Sequence, residues 1–314
     1  MNVYKSIHLS YEEQLDKFLE RGMQIKDREY CIKKIENINY YKLKEFAIPY
    51  SKKIGENLIY ENVFLEQIIK RFYLDKNLRI HLLHAIEKIE ISLKNKIAYI
   101  LGERLGAFGY LNFKDWGDKD KYCKYYLKIQ QDKFRNEISK KINRTANPFI
   151  IEFKTNHPHE DLPIWLLVEI LTFGEILEIY NLMTKNDRIK IAKFYNSNTS
   201  EFFSWLTHLK LVRNMCAHNS GIIDIKFKTI PQIRDEWKKN LYVFPDGKHT
   251  NRIGISLVIL KFLLYQINPD YHFGDIAKTL QKLMKAKSSQ ASLYGLNDKN
   301  VRFLFESKEH DKKS

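Results

Sequence analysis

The sequence predicts an all-α protein, a helical bundle with a small N-terminal helical subdomain and minor β excursions. Two observations support this prediction. In the longest periodic segment, residues 63–101, apolar side chains recur every three or four positions, which is the spacing of one helix face. Residues 223–227 alternate like a short strand, whereas helical periodicity dominates elsewhere.

The first 57 residues predict a subdomain of short helices. Ser10 and Asp27 are suitable N-caps for the first two of them. The predicted elements are helices at 11–20 and 25–37, an aromatic corner at 38–43, and a basic, turn-prone loop at 52–57 that gives the best domain boundary. The predicted division is therefore an N-terminal helical subdomain (1–57), a helical main domain (58–285) and a polar C-terminal tail (286–314).

The main domain is predicted to be a succession of helices. The long helix ends at the glycine-rich stretch 102–109, and residues 156–163 form a loop with two prolines. Gly221 ends the helix that contains residues 205–219. The other predicted helices are 118–143, 164–183 with Gly174 inside it, 186–194 capped by Asn186, 251–267 and 273–284.

A net charge of +15 predicts an anionic partner, nucleic acid first and a membrane surface second. The alternative is a composition rich in Lys, Asn and Ile that raises the basic count without a functional purpose. Three cysteines without short spacing favour a reducing compartment over a disulfide framework. The N-terminus lacks an apolar segment of signal-peptide length, and the apolar run 253–267 is too short to span a bilayer. The expectation is a soluble cytoplasmic protein with no membrane partner.

The chain is organised around residues 205–219. On an ideal helix, one face of this segment is apolar and carries Phe202, Trp205, Leu209, Val212 and Cys216. The opposite face is polar and carries Thr207, Lys210, Asn214 and His218, with Arg213 at the border. Such a helix buries one side in a core and lines a polar cavity with the other.

Arg213, Asn214 and His218 form a compact set for handling a phosphodiester. The guanidinium fork of an arginine can hold phosphate oxygens, and an imidazole can move a proton near neutral pH. Arg79 and His84 have the same spacing but lie in an apolar helical stretch. We therefore interpret Arg79 as a structural or supporting charge and His84 as a partly buried core residue.

Three further residues are candidates for RNA binding or support of the site. Lys210 shares the polar face, and Asn219 lies where the helix ends. Glu169 interrupts an apolar run and is either a buried partner for Arg213 or a member of a plain structural ion pair.

Two other chemistries are disfavoured. Cys216 and His218 are two residues apart on a helix and face nearly opposite directions, so they do not form a thiol nucleophile with its base. The loop cluster of His157, His159, Glu160 and Asp161 offers no recognised ligand spacing, so no metal is expected.

Several segments resemble, in the same order, the Abi abortive-infection family of the AbiD/AbiF type, within the HEPN ribonuclease superfamily. The segment L-K-L-V-R-N-M-C-A-H-N resembles the family signature. Residues 15–42, 78–94 and 162–180 resemble the N-terminal block, the first long HEPN helix and the block before the catalytic helix. The similarity extends from about residue 11 to about residue 285, and it implies a HEPN-like helical fold.

The resemblance implies a metal-independent endoribonuclease that needs no cofactor and acts as a phage-defence effector or toxin. In such enzymes the ribose 2′-OH attacks the adjacent phosphorus and leaves a 2′,3′-cyclic phosphate and a 5′-OH. By this resemblance His218 moves the proton, Arg213 neutralises charge on the equatorial oxygens, and Asn214 bonds phosphate or orients the histidine.

Helix geometry adds an expectation about assembly. Arg213 and His218 lie about 140° apart on an ideal helix, so one copy makes a loose site. Two copies across a twofold axis would surround one phosphate with paired residues, which predicts a homodimer with a composite cleft. The alternative function is a non-catalytic protein that holds a small structured noncoding RNA, and such an RNA could also restrain a toxin. A DNA-binding regulator is disfavoured because no clear helix-turn-helix pattern is visible.

Overall fold

The computed structural model describes residues 8–55, 57–285, 288–299 and 304, and α-helix dominates it, as predicted. A two-stranded antiparallel hairpin, β1 (Ser51–Ile54) and β2 (Asn57–Tyr60), is the only sheet within these residues. Short 3₁₀ helices lie at Ile48–Tyr50, Gly109–Leu111, Val168–Ile170 and Ser288–Tyr294. The α-helices are α1 (Tyr11–Leu19), α2 (Arg28–Ile38), α3 (Tyr40–Ala47), α4 (Leu65–Leu105), α5 (Phe113–Trp116), α6 (Lys124–Ile142), α7 (Pro148–Asn156), α8 (Ile164–Leu167), α9 (Phe173–Leu182), α10 (Lys185–Phe194), α11 (Thr199–Ala217), α12 (Asp235–Lys238), α13 (Gly254–Ile267) and α14 (Gly274–Leu283).

Side-chain caps begin the first helices where the sequence predicted them. Ser10 accepts a hydrogen bond from the Glu13 amide at 3.2 Å, and the Glu13 carboxylate accepts one from the Ser10 amide at 2.7 Å. Asp27 caps α2 by accepting from the Tyr30 amide. The aromatic corner predicted at 38–43 is wrong, because Asn39 adopts a φ of 82° and caps a third helix there.

The β excursion was predicted in the wrong place. Residues 223–227, predicted as a strand, form a turn followed by irregular backbone, whereas the loop predicted at 52–57 is part of the β1–β2 hairpin. The backbone at the start of this segment is already engaged, because the amides of Ile222 and Ile223 donate to the Asp75 carboxylate. These donors are therefore unavailable to a neighbouring strand.

The central element is α4, whose 41 residues span about 60 Å. Helices α3, α8, α11, α13 and α14 pack against it. The apolar positions of its predicted periodicity are buried from Leu78 to Ile97, and Phe72 is partly buried. Because α4 contacts so many elements, it fixes where the helix with the candidate motif, α11, lies.

The single apolar helix predicted over residues 164–183 is wrong. The segment comprises α8, a 3₁₀ turn and α9, and Thr172 begins α9 with a capping box. The predicted cap of α10 is also wrong, since Thr184 rather than Asn186 makes the capping hydrogen bond. Both threonines are followed three positions later by a glutamate or aspartate, which is a cap signal present in the sequence.

One continuous cluster of buried side chains includes residues of the N-terminal helices, α4 and the C-terminal segment. Part of the predicted polar tail is packed into it, because Ala291, Tyr294, Leu296 and Leu304 are buried. The Tyr242 amide also donates to the Gly295 carbonyl at 3.1 Å. Residues 286–287, 300–303 and 305–314 of this tail lie outside the described residues, and the division into domains stays a prediction. Within the described ranges, every helix is too short or too polar to cross a lipid bilayer.

Candidate active site at the end of helix α11

The motif lies on α11, and the first turn of this helix is anchored locally. Asn198 caps it by accepting from the amides of Ser200 and Glu201, and Glu201 completes the capping box. The predicted apolar face is buried at every position: Phe202, Trp205, Leu209, Val212 and Cys216. The indole N–H of Trp205 donates to the Gln232 carbonyl at 2.8 Å, so this face is fixed by a hydrogen bond as well as by packing.

The periodicity predicted that the polar face of α11 lines a cavity, whereas most of this face points to solvent. Thr207, Asn214 and His218 are exposed, and Lys210 is half-buried. A Cβ placed on Gly174 would lie 3.8 Å from Cδ of Lys210, so the lysine stem runs past the start of α9. Leu211, in the middle of this face, is an exposed apolar side chain.

Arg213 lies at the border of the two faces and lines a groove between α11 and α4. The groove has a volume of about 380 Å³, and its other lining residues belong to α4: Leu83, His84, Glu87, Glu90, Ile91 and Lys94. His84 is exposed here, so its interpretation as a partly buried core residue is wrong. Among the described residues, none makes an ion pair or hydrogen bond with the Arg213 side chain.

Glu169 is not a buried partner for Arg213. It lies on the 3₁₀ turn between α8 and α9 and is exposed. The expectation rested on the apolar neighbours of Glu169 in the sequence, and on the 3₁₀ turn its side chain is exposed all the same.

The C-terminal end of α11 forms a Schellman motif. His218 is the C-cap, and Asn219 follows with a left-handed φ of 58°. The Ser220 amide donates to the Met215 carbonyl at 2.9 Å, and the Asn219 amide donates to the Cys216 carbonyl at 3.4 Å. The helix therefore stops directly at the candidate catalytic histidine.

A buried ion pair on α4, here called the Asp75–Arg79 clamp, holds this helix end. Nε of Arg79 donates to Oδ2 of Asp75 at 2.8 Å, and its Nη1 donates to Oδ1 of Asn219 at 2.9 Å. Oδ1 of Asp75 accepts the amides of Ile222 and Ile223 at 2.7 and 3.0 Å. Burial raises the pKa of the Asp75 carboxyl, and these hydrogen bonds oppose that rise. Arg79 is thus bonded to both Asp75 and Asn219, and the role of Asp75 was missed in the sequence.

A second contact from α4 holds the same loop further along. Arg71 forms an ion pair with Asp224, and its Nη1 lies 3.3 Å from the Tyr50 hydroxyl and 3.4 Å from the Tyr294 hydroxyl. The chain from Asn219 to Asp224 is therefore tied to α4 at both ends. These contacts limit how far the adjacent His218 backbone can move.

The cysteine next to the motif is not a nucleophile. Cys216 is buried, and burial raises the pKa of its thiol to about 12. The nearby His208 is also buried on α11, where Nε2 lies 2.8 Å from the Ser256 hydroxyl. Burial lowers the pKa of His208 to about 4, so this imidazole is neutral at pH 7.

The loop cluster at residues 157–161 forms no evident metal site. Its one close pair joins Nδ1 of His157 to Oε1 of Glu160 at 3.4 Å, and both side chains are about half exposed. In the part of the chain that the structure describes, no three His, Cys, Asp or Glu residues converge as potential metal ligands.

Comparison of the sequence with models of known protein families gives a match. The sequence profile described as Abi-like protein matches residues 33–224. The chain belongs to the Abi-like protein family. No curated protein and no solved structure matches the chain.

The matched range begins inside α2, at residue 33, and ends at Asp224. It therefore includes α4 with the Asp75–Arg79 clamp, the groove, and all of α11 with Arg213, Asn214 and His218. Membership in this family associates the chain with abortive infection. The AbiD/AbiF type and the HEPN superfamily stay predictions from the sequence.

Proposed function

We propose that this Abi-like protein is a metal-independent HEPN-type endoribonuclease that acts as an abortive-infection effector or toxin. The observation that carries the proposal is the arrangement at the end of α11. Asn214 and His218 are exposed, Arg213 lines the adjacent groove, and none of the three side chains is engaged by another described residue. These three side chains are thus free to contact a phosphodiester, while the Asp75–Arg79 clamp holds the backbone at the end of their helix.

Each residue has a distinct task in this proposal. The Arg213 guanidinium stabilises the charge that develops on phosphate oxygens as the ribose 2′-OH attacks phosphorus. The His218 imidazole transfers the proton to or from the reacting oxygens. Asn214, one turn before His218 on the same exposed face, hydrogen-bonds phosphate or orients the imidazole. Lys210 adds positive charge where the strand would pass.

The proposal includes a homodimer. Arg213 faces the groove toward α4, whereas His218 lies on the solvent side of the helix end, so the two side chains diverge within one chain. Leu211, exposed between Thr207 and Asn214, gives this polar face an apolar contact for a second copy. A twofold axis that crosses α11 midway between Arg213 and His218, near Met215, would bring Arg213 of one copy opposite His218 of the other.

Complementation tests the composite site. Arg213→Ala and His218→Ala proteins are each expected to be inactive, and a mixture that exchanges subunits should recover part of the cleavage. An inactive mixture with verified subunit exchange would contradict a site shared between chains.

Cleavage itself is tested with purified protein and total RNA in EDTA, followed by mapping of the fragment ends. We expect 2′,3′-cyclic phosphate and 5′-OH ends, and a loss of rate of about 100-fold or more in His218→Ala. His159→Ala, which removes another exposed histidine, is the matched control and should leave the rate unchanged. Cleavage that persists in His218→Ala would refute the assignment.

A second candidate is a non-catalytic protein that holds a small structured noncoding RNA. The net charge of +15 favours it, as does α6, where Tyr125 is 75% exposed beside Lys124 and Lys128. If tight RNA co-purifies with both wild type and His218→Ala and neither cleaves, this second function is favoured. The ribonuclease proposal instead requires that His218→Ala abolishes cleavage and leaves RNA affinity unchanged.

A further inference from the structure

The groove beside Arg213 has a composition that a simple phosphate site would not have. Glu90 and Lys94 form an ion pair at 3.1 Å, with both side chains largely buried. Glu87 is exposed and, across the described ranges, makes no ion pair or hydrogen bond. Free Arg213 and free Glu87 therefore line one groove, and a phosphate attracted by the arginine would be repelled by the carboxylate. The expected ligand has an anionic part and a separate part rich in hydrogen-bond donors.

We propose that this groove binds a guanine base of the RNA strand whose phosphate contacts Arg213, and that Glu87 determines the specificity. This inference rests on the proposed ribonuclease function and adds the preferred base to it. The volume of about 380 Å³ falls within the usual range for small-molecule pockets, about 300–1,000 Å³.

The donor pattern of guanine selects it over the other bases. An ionised carboxylate only accepts hydrogen bonds, through two oxygens side by side. Guanine presents N1–H and N2–H₂ next to each other on its Watson–Crick edge, which matches both oxygens. Adenine and cytosine place one amino group next to an unprotonated ring nitrogen, and uracil has a single N–H between two carbonyls. Each of these three presents an acceptor to the carboxylate.

The side chains around Glu87 can pack against the flat faces of a nucleobase. Leu83 and Ile91 lie one turn before and one turn after Glu87 on α4, so apolar side chains flank the carboxylate. His84, exposed in the same groove, offers an imidazole ring on which an unstacked base can stack. Arg213 closes the other wall from α11, where it would contact the phosphate attached to that nucleoside.

The experiment compares wild type, Glu87→Gln and Glu103→Gln on a random-sequence RNA pool, with sequencing of all cleavage ends. Glu103 is the matched control because it is an exposed glutamate on the same helix outside the groove, where it accepts from the Tyr99 hydroxyl. We expect guanine to be enriched about tenfold or more at one position beside the cut in wild type and in Glu103→Gln. Glu87→Gln should remove most of that enrichment.

A binding assay keeps the test independent of cleavage. Short 2′-deoxy oligonucleotides that differ by one guanine or uracil are titrated into His218→Ala and into the His218→Ala/Glu87→Gln double variant. About tenfold tighter binding of the guanine oligonucleotide to His218→Ala, lost in the double variant, supports the inference. This result supports it even if the wild-type protein cuts no RNA. In that case only the ribonuclease proposal fails. Equal binding of both oligonucleotides, or a cleavage preference that Glu87→Gln leaves intact, overturns the inference and leaves the ribonuclease proposal standing.

Discussion

Removal of the Asp75 carboxylate is expected to be one of the most destabilising single changes near the site. Asp75 is fully buried, and the Arg79 side chain is only 5% exposed. Asp75→Asn can keep an oxygen at the Oδ1 position, where both backbone amides donate, and it loses the contact with Arg79. An uncompensated buried charge costs about 3 kcal/mol or more, so we expect at least that loss of unfolding free energy.

Asp75→Ala also leaves the amides of Ile222 and Ile223 without an acceptor. Each unsatisfied buried donor costs about 1–3 kcal/mol, which brings the expected total to about 5 kcal/mol or more. That is a large part of the stability of a typical domain, about 5–15 kcal/mol. Urea unfolding followed by circular dichroism measures both variants.

The matched control is Asp132→Ala, which removes a pair with Lys128 of the same i,i+4 spacing. Both side chains of that pair are more than half exposed, so the expected cost is below about 1 kcal/mol. If Asp75→Ala proved no more destabilising than Asp75→Asn, the amides of Ile222 and Ile223 would not depend on the carboxylate. A cost below 1 kcal/mol for both variants would refute the clamp itself.

Three further measurements test other parts of the fold. Because the folded-state pKa of His208, about 4, lies below its ordinary value of 6.5, the unfolded chain binds a proton first as pH falls. The protein should therefore lose up to about 3 kcal/mol between pH 6.5 and 4, and His208→Gln should reduce that slope in urea titrations at several pH values. Gly254→Ala places a Cβ 2.5 Å from the Gly295 carbonyl oxygen and should cost about 2 kcal/mol or more. Gly274→Ala, also at the first position of a helix but with open space around it, should be neutral or stabilising by thermal melting. Iodoacetamide should label only Cys123 of the three cysteines in the folded protein, and mass spectrometry showing a second label without denaturant would contradict the burial of the others.

The local features of the site were predictable from the sequence. The two faces of α11 follow from a spacing of three and four residues, and the structure buries the predicted apolar set and exposes the polar set except the half-buried Lys210. Ser10 and Asp27 cap their helices because capping needs only neighbouring residues. These signals act over one or two turns, so they require no knowledge of the tertiary fold.

Features that depend on distant contacts were not predictable. Asp75 bonds amides 147 and 148 positions away, and the sequence gives no sign that an acid on α4 reaches the end of α11. The only local hint was its i,i+4 spacing to Arg79, which an exposed pair would also show. His84 and Glu169 were placed wrongly because apolar neighbours in the chain do not determine which side of a helix meets solvent when a groove or a helix break intervenes.

The residues around the site fall into two groups, which differ in how much a substitution disturbs the fold. Asp75, Arg79 and Asn219 are bonded to one another or to backbone, so a change in any of them disturbs a buried network and the fold. Arg213 and His218 have no partner among the described residues, and removal of such a side chain costs within about 0.5 kcal/mol of stability. A His218 variant that unfolds at the wild-type urea concentration yet fails to cleave RNA would therefore have lost chemistry alone. Loss of cleavage in a variant of the Asp75–Arg79 clamp does not show that chemistry was lost unless the unfolding free energy of that variant is also measured.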